Sequence, residues 1–518
     1  MKRRTFLHHA THSLAIPGLM GSLGFGLNSE ANLTALLQGA AEANRVLVLI
    51  YLQGGNDGLN TVIPLDQLSN LNKVRPHVVL PETKLIKINQ KVGLHPSLFG
   101  FSNLYKEGKL NIIQSVGYED QSFSHFRSTD IWMSGSGSSS LVTSGWAGRY
   151  LSNLYPTFPT GFPNASTPHP LAVEIGYGAS MIFQGSSALM TTVIKDPTNF
   201  YQLINDTNET VPATNAGNKL GFVRLVGKQS QQYGAVLKTA ASKVTSQKSY
   251  PTNNSLADQL KVVARLVAGG LSTPLYLVRL GGFDTHDAQV EVADHSQGKH
   301  ATLLKNVDEA VTSFMADLKF LGVDDKVVGM TFSEFGRRVI SNAGNGTDHG
   351  SAAPMFVFGN RVLGQVTGNN PVIPANANYD SNLEKQFDYR QIYASVLQQW
   401  LGSTGATSSN LLNGTFNSIP IINDGTVTAI KEAEFIEPFT IYPNPVGASA
   451  TIETISNGGL SSIELIRSDG KYVTTIHEGV SSIGKQKIDW NTSSLTPGNY
   501  IALYRTGNQQ FTQRIVKH

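Results

Sequence analysis

Residues 46–52, VLVLIYL, are apolar without interruption and run into QGGNDG, the pattern of a strand buried on both faces followed by a tight glycine-rich turn. Leu256, Leu260, Val263, Ala264 and Val267 recur at helical spacing ahead of Gly269 and Gly270, which predicts a helix over 256–268. A second apolar run, PLYLVRL at 274–280, ends in GGFDTH and repeats the strand-then-turn pattern. Leu303, Leu304, Val307, Val311, Phe314, Met315 and Leu318 predict a longer amphipathic helix, and KVVGMTF after it predicts a strand entering the turn SEFGRR. One more strand, MFVFG, follows the loop NAGNGTDHGSAAP. Strands alternating with helices in this way predict an α/β domain around a mostly parallel sheet.

From about residue 436 the period changes. Short alternating runs at 451–455, 462–466, 471–476 and 500–505, with DG at 469–470 and GN at 507–508, predict a small all-β sandwich over 436–518. The stretch 403–435 is rich in Ser, Thr, Asn and Gly and reads as a linker. At the other end, Arg3 and Arg4 precede Phe6, Leu7 and a weakly apolar stretch broken by Pro17 and glycines, too short and interrupted to span a bilayer. Residues 1–30 therefore read as an export signal of twin-arginine type, whose partner is the twin-arginine translocase.

Composition narrows the chemistry. The 518 residues include no Cys, so thiolate ligands, disulfides and a Cys nucleophile are excluded and any metal must be held by Asp, Glu, His or Asn. A net charge of +3, with no basic stripe interleaved with aromatics, excludes nucleic acid as the expected partner.

Asp57, Asp284 and Glu334 each fall just beyond the carboxyl end of a separate predicted strand, where open parallel sheets gather ligand and catalytic groups. With His286 two residues after Asp284, and Asp348 and His349 in the loop before MFVFG, they form an oxygen and imidazole set suited to a divalent metal, Zn or Mn. The bland alternative is that Asp57 and Asp284 cap glycine turns while Glu334 pairs with Arg337 or Arg338. Ser124 and His125 are candidates for nucleophile and for base or further ligand, or else an ordinary helix-entry pair with Ser124 as N-cap. Arg127 is a candidate clamp for an anionic ester, or a partner for Asp130. His95 reads as a helix-entry residue, and 190–255 carries no functional signal.

The motifs VLIYLQGGNDGLNTVIPL, SHFRSTDIWMSG, GWAGRYL, GGFDTH, FSEFGRR, GTDHGSAAPMFVFG and DYRQIYASVLQQWLG, spread over 45–402, resemble an uncharacterised bacterial family exported by the twin-arginine route, domain of unknown function 1501. That family in turn resembles the alkaline phosphatase and sulfatase superfamily. The resemblance implies an alkaline-phosphatase-like sheet flanked by helices, one or two divalent metals and an attack by Ser124 on a phosphate or sulfate ester. It aligns Asp57, Asp284, His286 and His349 with metal ligands, and it puts Glu334 and Phe335 where the superfamily has Asp and His. One ligand of a two-metal centre is then missing. IYPNP, SDGK, LTPGNYIALY and QRIVKH resemble the sorting domain read by the type IX secretion machinery, implying passage through the periplasm to the outer cell surface. Two functions follow as expectations: an exported metal-dependent ester hydrolase, or a non-catalytic surface binding or assembly protein that retains the fold.

Overall fold

A computed structural model describes residues 45–176, 178–195, 215–423, 439–467, 471–506 and 509–517. The export signal expected at 1–30 lies outside them. The chain divides into two compact units, up to Thr426 and from Val427.

In the large unit the uninterrupted apolar run forms β1 (Val46–Gln53). A small antiparallel sheet follows, made of β2 (Val62–Pro64), β3 (Ile86–Lys87) and β4 (Val92–Leu94). The main sheet continues through β5 (Leu110–Gly117), β6 (Ala172–Ile175), β7 (Thr192–Ile194), β8 (Leu275–Gly281), β9 (Val327–Phe332), β10 (Ala353–Phe358), β11 (Gln365–Thr367) and β12 (Phe387–Asp388). Its spatial order is β11-β5-β10-β9-β1-β8-β6-β7, with β12 also on β5. β1 pairs in parallel with β8 and β9, β6 with β7 and β8, and β5 with β11 and β12; only β10 runs against its neighbours. The expected mostly parallel sheet is thus present, with β1 at its centre.

Because side chains alternate along a strand, β1 feeds two cores. Val48, Ile50 and Leu52 join Leu256, Leu260, Val307 and Phe314 on one face, where the helices Ser255–Ala268 and Lys299–Phe320 pack. Leu47, Leu49 and Tyr51 join Ile131, Trp132, Trp146 and Tyr393 on the other, under the helices His125–Ser134, Trp146–Leu154 and Tyr389–Gln399. Both helices read from the 3.6-residue period are found, each with its predicted apolar stripe buried apart from the half-buried Leu303.

Part of the expected linker is not one. Gly405–Leu411 is a helix, Leu411, Leu412, Ile421 and Ile422 are buried in the second core, and Val362 bridges to Ile422. A polar composition hid four apolar anchors, which suffice to dock the segment. The rest of that stretch, from 424, lies outside the described residues.

The strands of the C-terminal unit pair antiparallel: β13 (Phe439–Tyr442), β14 (Ser449–Arg467), β15 (Tyr472–Asn491), β16 (Gly498–Thr506) and β17 (Gln509–Lys517), ordered β13-β14-β16-β17 with β15 also on β14. Phe439, Ile441, Ile452, Ile463, Leu465, Tyr504 and Ile515 fill its own core. Among the described residues no helix is long and apolar enough to cross a membrane.

Candidate metal centre

Since β10 runs antiparallel to both β5 and β9, the carboxyl ends of β1, β5, β8 and β9 and the amino end of β10 lie on one edge of the sheet. That topology delivers His125 after β5, Asp284 after β8, Glu334 after β9 and His349 before β10 to one place. Gly54, at φ +122°, lets the turn after β1 press against the backbone of Phe283 and Asp284, and its N–H donates to Glu334 Oε1 at 2.9 Å. Buried Arg337 locks these turns together, donating to the carbonyls of Gly54, Gly55 (2.7 Å), Phe283 (2.9 Å) and Thr347 (2.8 Å) and to Asp284 Oδ1 (2.8 Å).

His125, Asp284 and His349 each present a ligand atom within 4.8 Å of the others. His349 Nδ1 lies 2.8 Å from the carbonyl of Phe123 and must carry the proton there, because a carbonyl only accepts. His125 Nδ1 lies 2.8 Å from the Glu334 carboxylate, which is likewise an acceptor when ionised. Both rings therefore turn Nε2 toward Asp284: His349 Nε2 is 3.2 Å from Oδ1 and His125 Nε2 is 3.3 Å from Oδ2. His125 Nε2 is buried and has no hydrogen-bond partner. With neutral rings, two lone pairs face a carboxylate across a gap that only a proton or a cation can fill. A His ligand with its other nitrogen held by a carboxylate or carbonyl is the arrangement that orients imidazoles on a divalent ion.

Charge tuning follows the same geometry. Burial pushes the Asp284 carboxyl up, but its bonds to Arg337 and His349, with the nearby charges of Arg337 and His286, hold it well below the usual carboxylate range. The Glu334 bond raises the His125 pKa against the opposing effect of burial. Burial lowers His349. His286 flanks the cluster, with Nδ1 2.8 Å from Asp284 Oδ1 and Nε2 4.0 Å from Asp348 Oδ1. Asn342 Nδ2 fixes Asp348 Oδ1 at 3.0 Å.

The remaining candidates are placed differently. Asp57 is 1% exposed and faces Arg75, whose Nη2 lies 3.0 and 2.9 Å from its two oxygens, and Gln289, whose Nε2 lies 2.6 Å away. The buried guanidinium already supplies the cation that a metal was expected to supply. Burial raises the Asp57 pKa, but Arg75, His300 and Gln289 together bring it below its ordinary value. Glu334 orients His125 instead of joining the three-residue group. Arg127 is spent on the loop carbonyls of Ser138 (2.8 Å) and Ser140 (2.7 Å), which removes the expected clamp. Ser124 is the exposed N-cap residue of the helix His125–Ser134, and its hydroxyl makes no capping bond. Sequence reading missed Arg75 and Gln289 and offered Arg337 as a partner for Glu334, whereas it bonds Asp284 and turn carbonyls, because nothing local shows which groups will meet a buried arginine.

The family profile described as "Protein of unknown function (DUF1501)" matches residues 43–413, and one described as a secretion system C-terminal sorting domain matches 440–518. Among curated proteins, none matches. The solved structures that are similar include one from Bacteroides thetaiotaomicron, from work on the metabolism of multiple glycosaminoglycans (11% identity, TM-score 0.34, covering 91% of this chain and 90% of that one). A sulfatase from Pseudoalteromonas (12%, 0.34, 89% and 88%) and an alkaline phosphatase superfamily protein from Vibrio parahaemolyticus (10%, 0.31, 86% and 79%) are also similar. Likenesses at this level carry no statement about the chemistry of this chain, which rests on its own residues.

Proposed function

The chain belongs to the DUF1501 family, proteins of unknown function, and from the strand-end cluster we propose that it is an exported, metal-dependent hydrolase of phosphate or sulfate esters. The observation that carries this is the pair of imidazoles, His125 and His349, each anchored at Nδ1 and each facing the Asp284 carboxylate through Nε2. His125, Asp284 and His349 would hold one Zn or Mn ion; bound there, the ion would polarise an ester oxygen and neutralise charge developing on it. Arg337 holds Asp284 ionised and in place, so the ligand set stays ready to receive a cation. Ser124, at the amino end of a helix and next to His125, supplies the attacking hydroxyl. His286, partly exposed between Asp284 and Asp348, carries protons to and from the leaving oxygen. The sorting domain over 440–518 addresses the chain to the secretion machinery for the cell surface, and the paired Arg3 and Arg4 supply the first, twin-arginine step.

Metal analysis of chelator-free protein tests the reading, together with a panel of phosphate and sulfate esters. Near-stoichiometric Zn or Mn is expected in the wild type, with none in Asp284→Asn. Ser124→Ala should keep the metal and lose hydrolysis, because the nucleophile does not hold the ion. A wild type that takes up no divalent ion overturns the proposal. A wild type that binds metal yet cleaves no ester is a surface-binding protein instead.

A further inference from the structure

One buried amide joins the loop that carries Asp284 to the loop that carries His349. Gln289 is buried together with Thr285, Thr347 and Asp57. Its Nε2 lies 2.6 Å from Asp57 Oδ2, and an ionised carboxylate paired with Arg75 can only accept, so the amide nitrogen must face Asp57. The amide oxygen is thereby turned away from Asp57, and it accepts from both Thr285 Oγ1 (2.9 Å) and Thr347 Oγ1 (2.6 Å). Each donor leads to a member of the cluster. Thr285 follows Asp284 directly, and Thr347 stands two residues before His349. The Thr347 carbonyl also accepts from Arg337 Nη1 (2.8 Å), while Nη2 of the same guanidinium holds Asp284 Oδ1 (2.8 Å). Around these bonds the two backbones close on each other. Thr347 N–H donates to the Thr285 carbonyl (3.2 Å), Gln289 N–H donates to the Asn345 carbonyl (2.9 Å), and a side chain at Gly346 would collide with the His286 carbonyl.

Hydrogen bonds between neutral buried groups add little net stability, and apolar groups of the same shape can replace all the partners of such a set at small cost. What the polar set adds is direction. A metal ion needs its ligand atoms held to within a fraction of an ångström, and the groups behind the ligands do that holding. Asp284 and His349 belong to loops at the ends of different strands, yet His349 Nε2 stands 3.2 Å from Asp284 Oδ1. We infer that Gln289 is a positioning residue for the metal centre, its amide fixing the spacing of Asp284 and His349 through Thr285 and Thr347. The inference rests on the metal reading of the cluster. His125 arrives separately, after β5, and is oriented by Glu334, so Gln289 governs two of the three ligands.

Changes at the two threonines test this while leaving the bond between Gln289 and Asp57 in place. Thr285→Val/Thr347→Val removes both donors at nearly constant shape, Thr285→Ser/Thr347→Ser retains them, and Gln289→Leu removes the amide itself. The full chain is titrated with Zn against a competing chelator, and separately with Co(II), whose visible absorption reports the geometry of its ligands. The valine variant should bind Zn at least ~10-fold more weakly than the wild type, the scale of groups that orient metal ligands, and its Co(II) spectrum should change. Gln289→Leu should do the same, and either variant decides the matter if the other fails to fold. The serine variant should match the wild type in both readouts. Wild-type Zn affinity and Co(II) spectrum in the valine variant, even with a lower unfolding temperature, assign the network to packing alone; that result overturns the inference and leaves the hydrolase reading standing. A serine variant as weak as the valine one overturns it too, because the hydroxyls would then not be the cause. A wild type that binds neither Zn nor Co(II) overturns both.

Discussion

His125 carries the pH response of the cluster because one of its nitrogens serves Glu334 and the other faces Asp284. Its pKa is raised in the folded chain. In metal-free protein its contribution to stability is therefore complete below the ordinary imidazole value of ~6.5 and lost as pH rises through the higher folded value. A divalent ion competes with that proton for Nε2, so metal affinity should climb over the same interval. Glu334→Gln keeps an acceptor for Nδ1 but removes its charge; we expect about 10–100-fold weaker metal binding and a midpoint of uptake shifted to lower pH. Metal titrations from about pH 5 to 8 read both quantities. An unchanged affinity and midpoint would show that Glu334 does not orient His125. The candidacy of His125 was visible in the chain from its place at a helix entry after a strand. The role of Glu334 was not, because the proton it holds belongs to a ring 209 positions away.

Asp57 and Arg75 act between elements. Asp57 lies in the turn after β1, and Arg75 is the C-cap of the helix Leu68–Val74, so their bond fastens that helix to the sheet edge. Gln289 adds a third attachment from the loop ahead of Lys299–Phe320. Both charged groups are fully buried, and removing one strands the other. Asp57→Asn should cost about 3–5 kcal/mol in urea unfolding while metal content stays near one ion per chain, in contrast to Asp284→Asn. Loss of metal from Asp57→Asn would return Asp57 to the ligand set. The acid limb has a definite sign: the folded Asp57 pKa is depressed, so its contribution is present above the unfolded value of ~3.9 and lost as pH falls through the folded one. The variant should lack that part of the acid dependence.

At the scale of the molecule, each unit has its own core, one around β1 and one around β14 and β16. Deleting residues 439–518 should then leave a soluble large unit with unchanged thermal unfolding and metal content that no longer reaches the cell surface. Changing Arg3 and Arg4 together to Lys should instead hold full-length precursor in the cytoplasm. Fractionation with a protease-accessibility assay distinguishes the two blocks. Surface delivery of the truncated chain would remove the sorting role of the tail, and normal export of the double-lysine variant would remove the twin-arginine step.

Period and punctuation are local properties, and they suffice for the strands at 46–52 and 274–280, the helices over 256–268 and around Phe314, and the change of texture near 436. Parallel pairing of such strands also implies that acids after them share one edge of the sheet, which is how Asp284, Glu334 and Asp57 could be named from the chain alone. Which of them would share a cation was decided only by packing. Asp57 meets a guanidinium 18 residues on, whereas Asp284 meets imidazoles from segments 159 positions before it and 65 after it. Arg127, with the same charge as Arg75 and Arg337, is consumed by loop carbonyls. The segment after 403 is polar enough to read as a linker, yet four apolar side chains find space in a core assembled elsewhere. Charge and hydrogen-bond partners act through space over a few ångströms, and distance along the chain carries no record of which groups folding will bring that close.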